Sequence, residues 1–226
     1  MKIEKITVGE LQTNCYLIIN KNKCIIIDPG AEPEKIIKRI KQLNIYPVSI
    51  INTHGHADHI GANSYLKQIF PELNICIHTL DKEKLLNPQK NLSAEMGYNI
   101  ISPQPDILFN DDENFSIDIF NFKVIYTPGH SKGSICLYLK NGFEMPGTTN
   151  KNNESTNIDI LFTGDTLFCG SIGRYDFPDS NEEEIRNSLK KIISIGNLET
   201  IILPGHGCES TLSEEFQNNP FIFELK

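Results

Sequence analysis

Short apolar runs alternate with segments of helical period along most of the chain. "NCYLII" (14–19) and "KCIIID" (23–28) flank Asn20-Lys21-Asn22, the pattern of a β-hairpin. Pro33 then opens a stretch in which Ile36, Ile37, Ile40 and Leu43 recur at helical spacing. A proline suits that first-turn position, because its missing N–H has no partner there anyway. "VSIIN" (48–52) reads as a buried strand, and Ala62, Tyr65, Leu66, Ile69 and Phe70 form a second helical stripe. Further strands are expected at 74–78, 122–127, 134–139 and 159–163. A helix follows on Ile185, Leu189, Ile192 and Ile193, and a late strand at 200–203. Strand and helix alternating in this way predict an α/β fold.

One stretch breaks the pattern. Residues 141–158, "NGFEMPGTTNKNNESTNI", are polar and rich in Asn, Thr and Gly. They predict a flexible surface insertion between two strands rather than a domain boundary. The acidic "NDDEN" (110–114) reads as a solvated turn. With no other break, residues 1–226 are expected to form one domain, a length that buries a core without disulfides.

Composition narrows the partners. A net charge of −8 argues against nucleic acid and anionic membranes, which are bound through basic surfaces. The first ten residues, "MKIEKITVGE", mix charges of both signs and hold no apolar signal segment, and no apolar run is long enough to span a membrane. A cytoplasmic location is expected. The six cysteines are scattered without a CxxC pair, which fits buried free thiols.

The chemistry sits where strands stop. "VSIINTHGHADH" ends in His54, His56, Asp58 and His59; "KVIYTPGH" in His130; "DILFTGD" in Asp165; "TIILPGH" in His206. Strands side by side in one sense would present these ends along one sheet edge, where α/β folds gather ligands. Five imidazoles and two carboxylates exceed the four ligands of a single tetrahedral ion and suit two ions sharing a carboxylate. Such donors favour zinc, iron or manganese. His54 and His56, at i and i+2 in an extended segment, face the same way and would hold one ion with His130. Asp58 and His59, beyond the bend, would hold a second with His206, and Asp165 would bridge the two. Singly, Asp58 could be a helix cap and Asp165 a turn residue; the joint pattern at four strand ends is what argues for metal. His78 lacks a turn after its strand and reads as structural.

With His54-x-His56-x-Asp58-His59, His130, Asp165 and His206 in that order, the chain resembles the metallo-β-lactamase superfamily over nearly its whole length. That resemblance implies a four-layer αββα sandwich with two divalent metal ions, zinc foremost, at one edge. "LQTNCYLI" (11–18), "GDTLFCGSIGR" (164–174) and "LPGHGCESTLSEE" (203–215) look most like short glyoxalase II-like hydrolases, the hydroxyacylglutathione hydrolases. It implies a thioesterase for a glutathione-type or other small thiol thioester, using a metal-bridging hydroxide that Asp58 orients. Only 20 residues follow His206, too few for the helical domain that helps longer relatives hold glutathione. Arg174 and Tyr175 stand where that group contacts substrate; the alternative for Arg174 is a local pair with Asp176 or Asp179. Mononuclear iron persulfide dioxygenases share the fold and similar ligands and are the leading rival. An exported β-lactamase, a flavodiiron domain and an RNA-processing enzyme fit less well.

Overall fold

The two apolar runs flanking Lys21 do pair, and the turn holds Lys21 at φ 55°. The computed structural model describes residues 1–149, 155–195 and 197–225. In it β1 (Lys2–Val8), β2 (Thr13–Asn20) and β3 (Lys23–Ile27) form an antiparallel meander. The sheet continues in parallel through β4 (Tyr46–Ile51), β5 (Asn74–His78) and β6 (Ile107–Phe109). Parallel neighbours need crossovers. Helix α1 (Pro33–Leu43) supplies the first, starting on its proline and ending at Asn44, whose left-handed backbone returns its N–H to Ile40 and Lys41. The second crossover carries α2 (Ala57–Ile60) and α3 (Asn63–Ile69), so the stripe expected at 62–70 is a short helix that buries Leu66 and leaves Tyr65 and Ile69 exposed.

A second sheet contains β7 (Glu113–Ile117), β8 (Phe120–Tyr126), β9 (Ile135–Thr149), β10 (Ser155–Gly164), then β13 (Ile201–Pro204) and β14 (Ser210–Thr211) at its other edge. Between β10 and β13 lie the ribbon of β11 (Leu167–Phe168) and β12 (Ser171–Ile172) and helix α4 (Glu182–Ile195). Helices α5 (Leu212–Asn218) and α6 (Pro220–Phe223) close the chain. The stretch expected as an insertion at 141–158 falls on the hairpin of β9 and β10, whose backbone pairs as far out as Thr149 with Ser155. Residues 150–154 of that stretch lie outside the described residues. Asn110–Asp112 do turn, but Glu113 and Asn114 already belong to β7.

Alternation along each strand explains the layers. Tyr16 and Ile18 of β2, Ile25 and Ile27 of β3 and Ile51 of β4 meet Phe122, Val124, Leu137 and Phe162 of the second sheet. The intervening Cys15, Leu17, Cys24 and Ile26 face Ile36, Ile37 and Ile40 of α1 and Leu66 of α3. On the far side, Ile125, Cys136, Leu161 and Ile202 pack on Ile185, Leu189 and Ile192 of α4. Both faces of each sheet are therefore covered, which is why the strands read as continuous apolar runs. The result is the four-layer αββα sandwich expected. Among the described residues, no helix is long and apolar enough to cross a membrane.

Candidate metal centre

β8, β10 and β13 run in one direction in the second sheet, because β8 and β10 are both antiparallel to β9 and β13 is parallel to β10. Their C-terminal ends deliver His130, Asp165 and His206 to one place. β4, which leads to His54, His56 and α2, belongs to the facing sheet. The expectation of a single sheet edge is thus corrected: the site straddles the seam between two sheets. Cross-seam bonds hold it. Asn14 N–H donates to Gly205 O at 2.7 Å, the Tyr16 hydroxyl to Pro204 O at 2.8 Å, and Ile135 N–H to Thr53 O at 2.9 Å. Gly205 is required by close approach, since a Cβ there would lie 2.3 Å from Asp165 Oδ1 and 2.8 Å from His59 Cε1.

All seven expected residues converge. Three groups have ligand atoms within 4.8 Å of one another: His54, His56 and His130; Asp58, His59 and His206; and His54, His59 and Asp165. The first two are the two triads expected from spacing. Asp165 reaches both, with Oδ1 3.3 Å from His59 Nε2 and Oδ2 3.6 Å from His130 Nε2 and 3.5 Å from His206 Nε2.

The ring contacts test whether cations fit. His130 Nδ1 donates to the Arg174 carbonyl at 2.8 Å, and His206 Nδ1 to the Leu11 carbonyl at 3.0 Å, which in the neutral ring leaves Nε2 free to bind a cation. His130 Nε2 faces His56 Nδ1 at 3.0 Å and His206 Nε2 faces His59 Nε2 at 3.3 Å. Two ligands of one tetrahedral zinc stand roughly 3.3 Å apart. Buried His54 Nε2, His56 Nε2 and Asp165 Oδ1 have no hydrogen-bond partner. Acceptors held together in this way call for positive charge, and the donor set suits zinc, iron or manganese.

The electrostatics agree. Burial, then the neighbouring histidines, push His54 and His56 well below the usual imidazole range, so both stay neutral. Burial also opposes the charging of His59, but Asp165, Asp58 and Asp28 outweigh it and raise that ring. His206 is raised to about 9, burial being outweighed by hydrogen bonds to Asp165 and Asp58. Those pairings overcome burial to hold Asp58 at about 2 and Asp165 well below the carboxylate range. Without metal, protons take the place of cations in the second triad.

Other residues support the rings and escape a reading of strand ends. Buried Asp28, at φ 47°, accepts Thr53 N–H at 2.7 Å and the Thr53 hydroxyl at 2.6 Å. Its Oδ2 lies 3.0 Å from His59 Nδ1, off hydrogen-bond alignment, while Thr53 Oγ1 sits 3.2 Å from His54 Nδ1. Asp28 also ends an apolar run, "CIIID", a signal that was there to use. Partners on the second nitrogen fix tautomer and ring orientation. His78 stays apart, stacked on Tyr126 at 4.5 Å.

A cavity of about 570 Å³ opens over the cluster, walled by Leu11, Met96, Phe168, Arg174 and Phe177. Arg174 lines it, but its guanidinium pairs with Asp176 through Nε at 2.8 Å and Nη2 at 3.0 Å and lies over the Phe177 ring at 4.5 Å. Tyr175 packs into the outer core with α4 and is not among the lining residues. Phe177 stands at the rings instead, 5.1 Å from His56 and 5.5 Å from His130.

The model of the metallo-beta-lactamase superfamily matches residues 8–143. The chain belongs to that superfamily. Across 98% of both chains it is 36% identical to the hydroxyacylglutathione hydrolase GloC of Haemophilus influenzae. Among solved structures it is similar to the BLEG-1 B3 metallo-β-lactamase, with TM-score 0.85, 31% identity and coverage of 98% of this chain and 99% of that one. It is likewise similar to TTHA1623 in a di-iron-bound form, with TM-score 0.78, 33% identity and coverage of 96% and 99%. This superfamily member is glyoxalase II-like in sequence, and the coarse activity that follows is metal-dependent hydrolysis.

Proposed function

We propose that the protein is a binuclear metal-dependent thioester hydrolase, with His54, His56 and His130 holding one ion, Asp58, His59 and His206 the other, and Asp165 shared. The observation carrying this reading is the reach of Asp165, whose two oxygens face His59 on one side and His130 and His206 on the other at 3.3–3.6 Å. Likeness to the hydroxyacylglutathione hydrolase GloC supports a thioester as substrate. Zinc is the ion we propose; the di-iron form of TTHA1623 makes iron the first alternative.

Bound in this donor set, two divalent ions would supply an acidified water and an electrophile for the carbonyl oxygen. The chain's own residues do the rest. Asp58, 3.2 Å from the Thr13 hydroxyl that donates to it, is held to orient the attacking water. Phe177 against His56 and His130, and Phe168 at 6.0 Å from His206, wall the rings from bulk water and strengthen the electrostatics between them. Hydrolysis forms one C–O bond and breaks the C–S bond; the water's protons end on the thiol and in solution. Arg174 would exchange Asp176 for a substrate carboxylate at little cost, because both partners of that pair are about two-thirds exposed. Four buried free thiols suit the reducing cytoplasm proposed as its location.

The test is S-lactoylglutathione cleavage by protein purified without chelators, with metal counted by mass spectrometry. Two ions per chain and thioester turnover are expected. One iron per chain, O2 uptake with glutathione persulfide and no thioester turnover would replace this reading with a dioxygenase. Turnover of a chromogenic β-lactam in preference to the thioester would replace it with a lactamase.

A further inference from the structure

A second cavity of about 260 Å³ opens off the metal-site cleft. The two share Leu11, Ala57, Asp58 and Met96 as a common wall. Beyond that wall the second cavity is bounded by Val8, Ala31, Tyr98 and Ile100 and by the backbone of Gly9 and Gly30. Leu11, Met96 and Tyr98 each leave about half of their surface in water around its mouth, at 50%, 46% and 51%. Apolar side chains gathered and exposed in this way beside a reactive centre mark a site for an apolar group.

The two cavities differ in their charged side chains. Arg174, at one end, is the only lysine or arginine among the described residues lining either cavity. Apart from the proposed ligand Asp58 on the shared wall, the charged residue lining the second cavity is Glu10, while Glu95 joins Arg174 in the larger one. Two side-chain hydroxyls line the second cavity: that of Thr13 is committed to Asp58 Oδ2 at 3.2 Å, and that of Tyr98 belongs to the half-exposed ring at the mouth. A carboxylate entering this end would meet the like charge of Glu10 and no lysine or arginine, whereas an alkyl group would cover exposed Leu11, Met96 and Tyr98. A thioester has two arms, and the cleft offers them different environments, one of them with an arginine.

We propose that the Leu11–Met96–Tyr98 pocket is the acyl-binding site, selecting thioesters whose acyl arm is an uncharged alkyl chain, with the anionic thiol arm lying toward Arg174. This rests on the thioesterase reading above and adds the class of acyl group. At roughly 30 Å³ for each water-sized group, 260 Å³ has room for about eight heavy atoms. Each methylene buried there strengthens binding by about three- to fourfold.

The chain has three methionines, so the methyl of Met96 is an isolated reporter in protein labelled with 13C-methyl methionine. Zinc-loaded protein is titrated with acetate, butanoate, hexanoate and octanoate, with Met96→Leu assigning the signal. The Met96 methyl is expected to shift with hexanoate at concentrations at least tenfold below those needed for acetate. Tyr98→Glu, at a half-exposed position, is expected to remove that preference. A Met96 methyl that ignores hexanoate, or equal affinity across the series, overturns the pocket assignment. In parallel, kcat/KM is measured for N-acetylcysteamine thioesters of the same acids. A rise with chain length supports the proposal, and a flat series overturns it while leaving the thioesterase reading standing. If no thioester turns over, the thioesterase reading fails and the acyl-site proposal fails with it; the carboxylate titration then reports only whether the pocket holds alkyl chains.

Discussion

The carboxylate of Asp81 accepts the backbone amide of Gly55 at 2.8 Å, and Gly55 lies between two of the clustered histidines. The same fully buried carboxylate accepts the Ser131 hydroxyl at 2.8 Å and the Gly133 amide at 2.8 Å. One aspartate therefore ties the loop of His54 and His56 to the loop of His130. The fit is close, since a Cβ on Gly133 would lie 2.7 Å from Asp81 Cβ.

Asp81→Ala would leave the buried amides of Gly55 and Gly133 unpaired, at a cost of about 1–3 kcal/mol each, while the Ser131 hydroxyl keeps Ser134 Oγ at 2.9 Å. Asp81→Asn keeps the shape but turns one acceptor into a donor facing a donor. Both variants are expected to weaken metal binding at the first triad by roughly 10- to 100-fold. Competition against a chromogenic chelator measures this, with circular dichroism confirming that Asp81→Asn is folded. Wild-type affinity in a folded Asp81→Asn protein would show that the tie does not position the rings.

Asp165→Ala removes the residue shared by both triads, and His206→Ala a residue of one. Metal content should fall below one ion per chain in the first and toward one in the second, with thioester turnover down by at least 100-fold in each. Mass spectrometry of the purified variants decides. An Asp165→Ala protein that retained two ions would refute the shared ligand.

Stability of the metal-free protein should depend on pH through the second triad. Folded His206 titrates at about 9 against 6.5 unfolded, so the folded state binds more protons between those values. Its stabilising contribution is complete below about pH 6.5 and is lost as pH rises through about 9. Asp58 acts at the other extreme: its contribution is present above its unfolded value and is lost as pH falls through about 2. Melting temperature of chelator-stripped protein should therefore drop between pH 6.5 and 9, while zinc-loaded protein, its protons displaced, should lack that drop. A melting temperature that rises over the range in stripped protein would contradict the arrangement.

Thiol reactivity should divide the cysteines. Cys15, Cys24, Cys76 and Cys136 are buried out of reach, and burial raises each thiol; Cys169 and Cys208 are exposed, although a hydrogen bond with Cys208 raises Cys169 to about 11 and should slow its labelling. An excess of a maleimide should label two sites on native protein and six after denaturation, counted by intact mass. Labelling of a third cysteine without denaturant would mean that the layers open more readily than their packing indicates.

The converging residues are legible because each ends an apolar run through a turn, a signal that survives ignorance of which strands are neighbours. Pairing is not legible in this way. Nothing in "VSIIN" tells that its strand lies in the sheet opposite the other three ends, because both sheets bury both faces and read alike. β1 is obscured by the mixed charges of "KIEKITV", whose Lys2, Lys5 and Thr7 face water at the sheet edge while Glu4 pairs with Arg39. Asp81 is a lone carboxylate in "HTLDKEK", and only folding brings it to residues fifty positions away. Tyr175 and Phe177 are two residues apart in one loop, and the path of that backbone decides which ring meets the histidines.

The seam has a consequence for assembly. The first sheet is complete by Phe109 and the second starts at Glu113, so the two sheets are the two halves of the chain. Each triad takes two residues from the first half and one from the second. Neither half alone could close a proposed ligand set, so tight metal capture would follow docking of the sheets. Bound in those triads, each ion would be a rivet through both halves, added to the hydrogen bonds that already cross the seam.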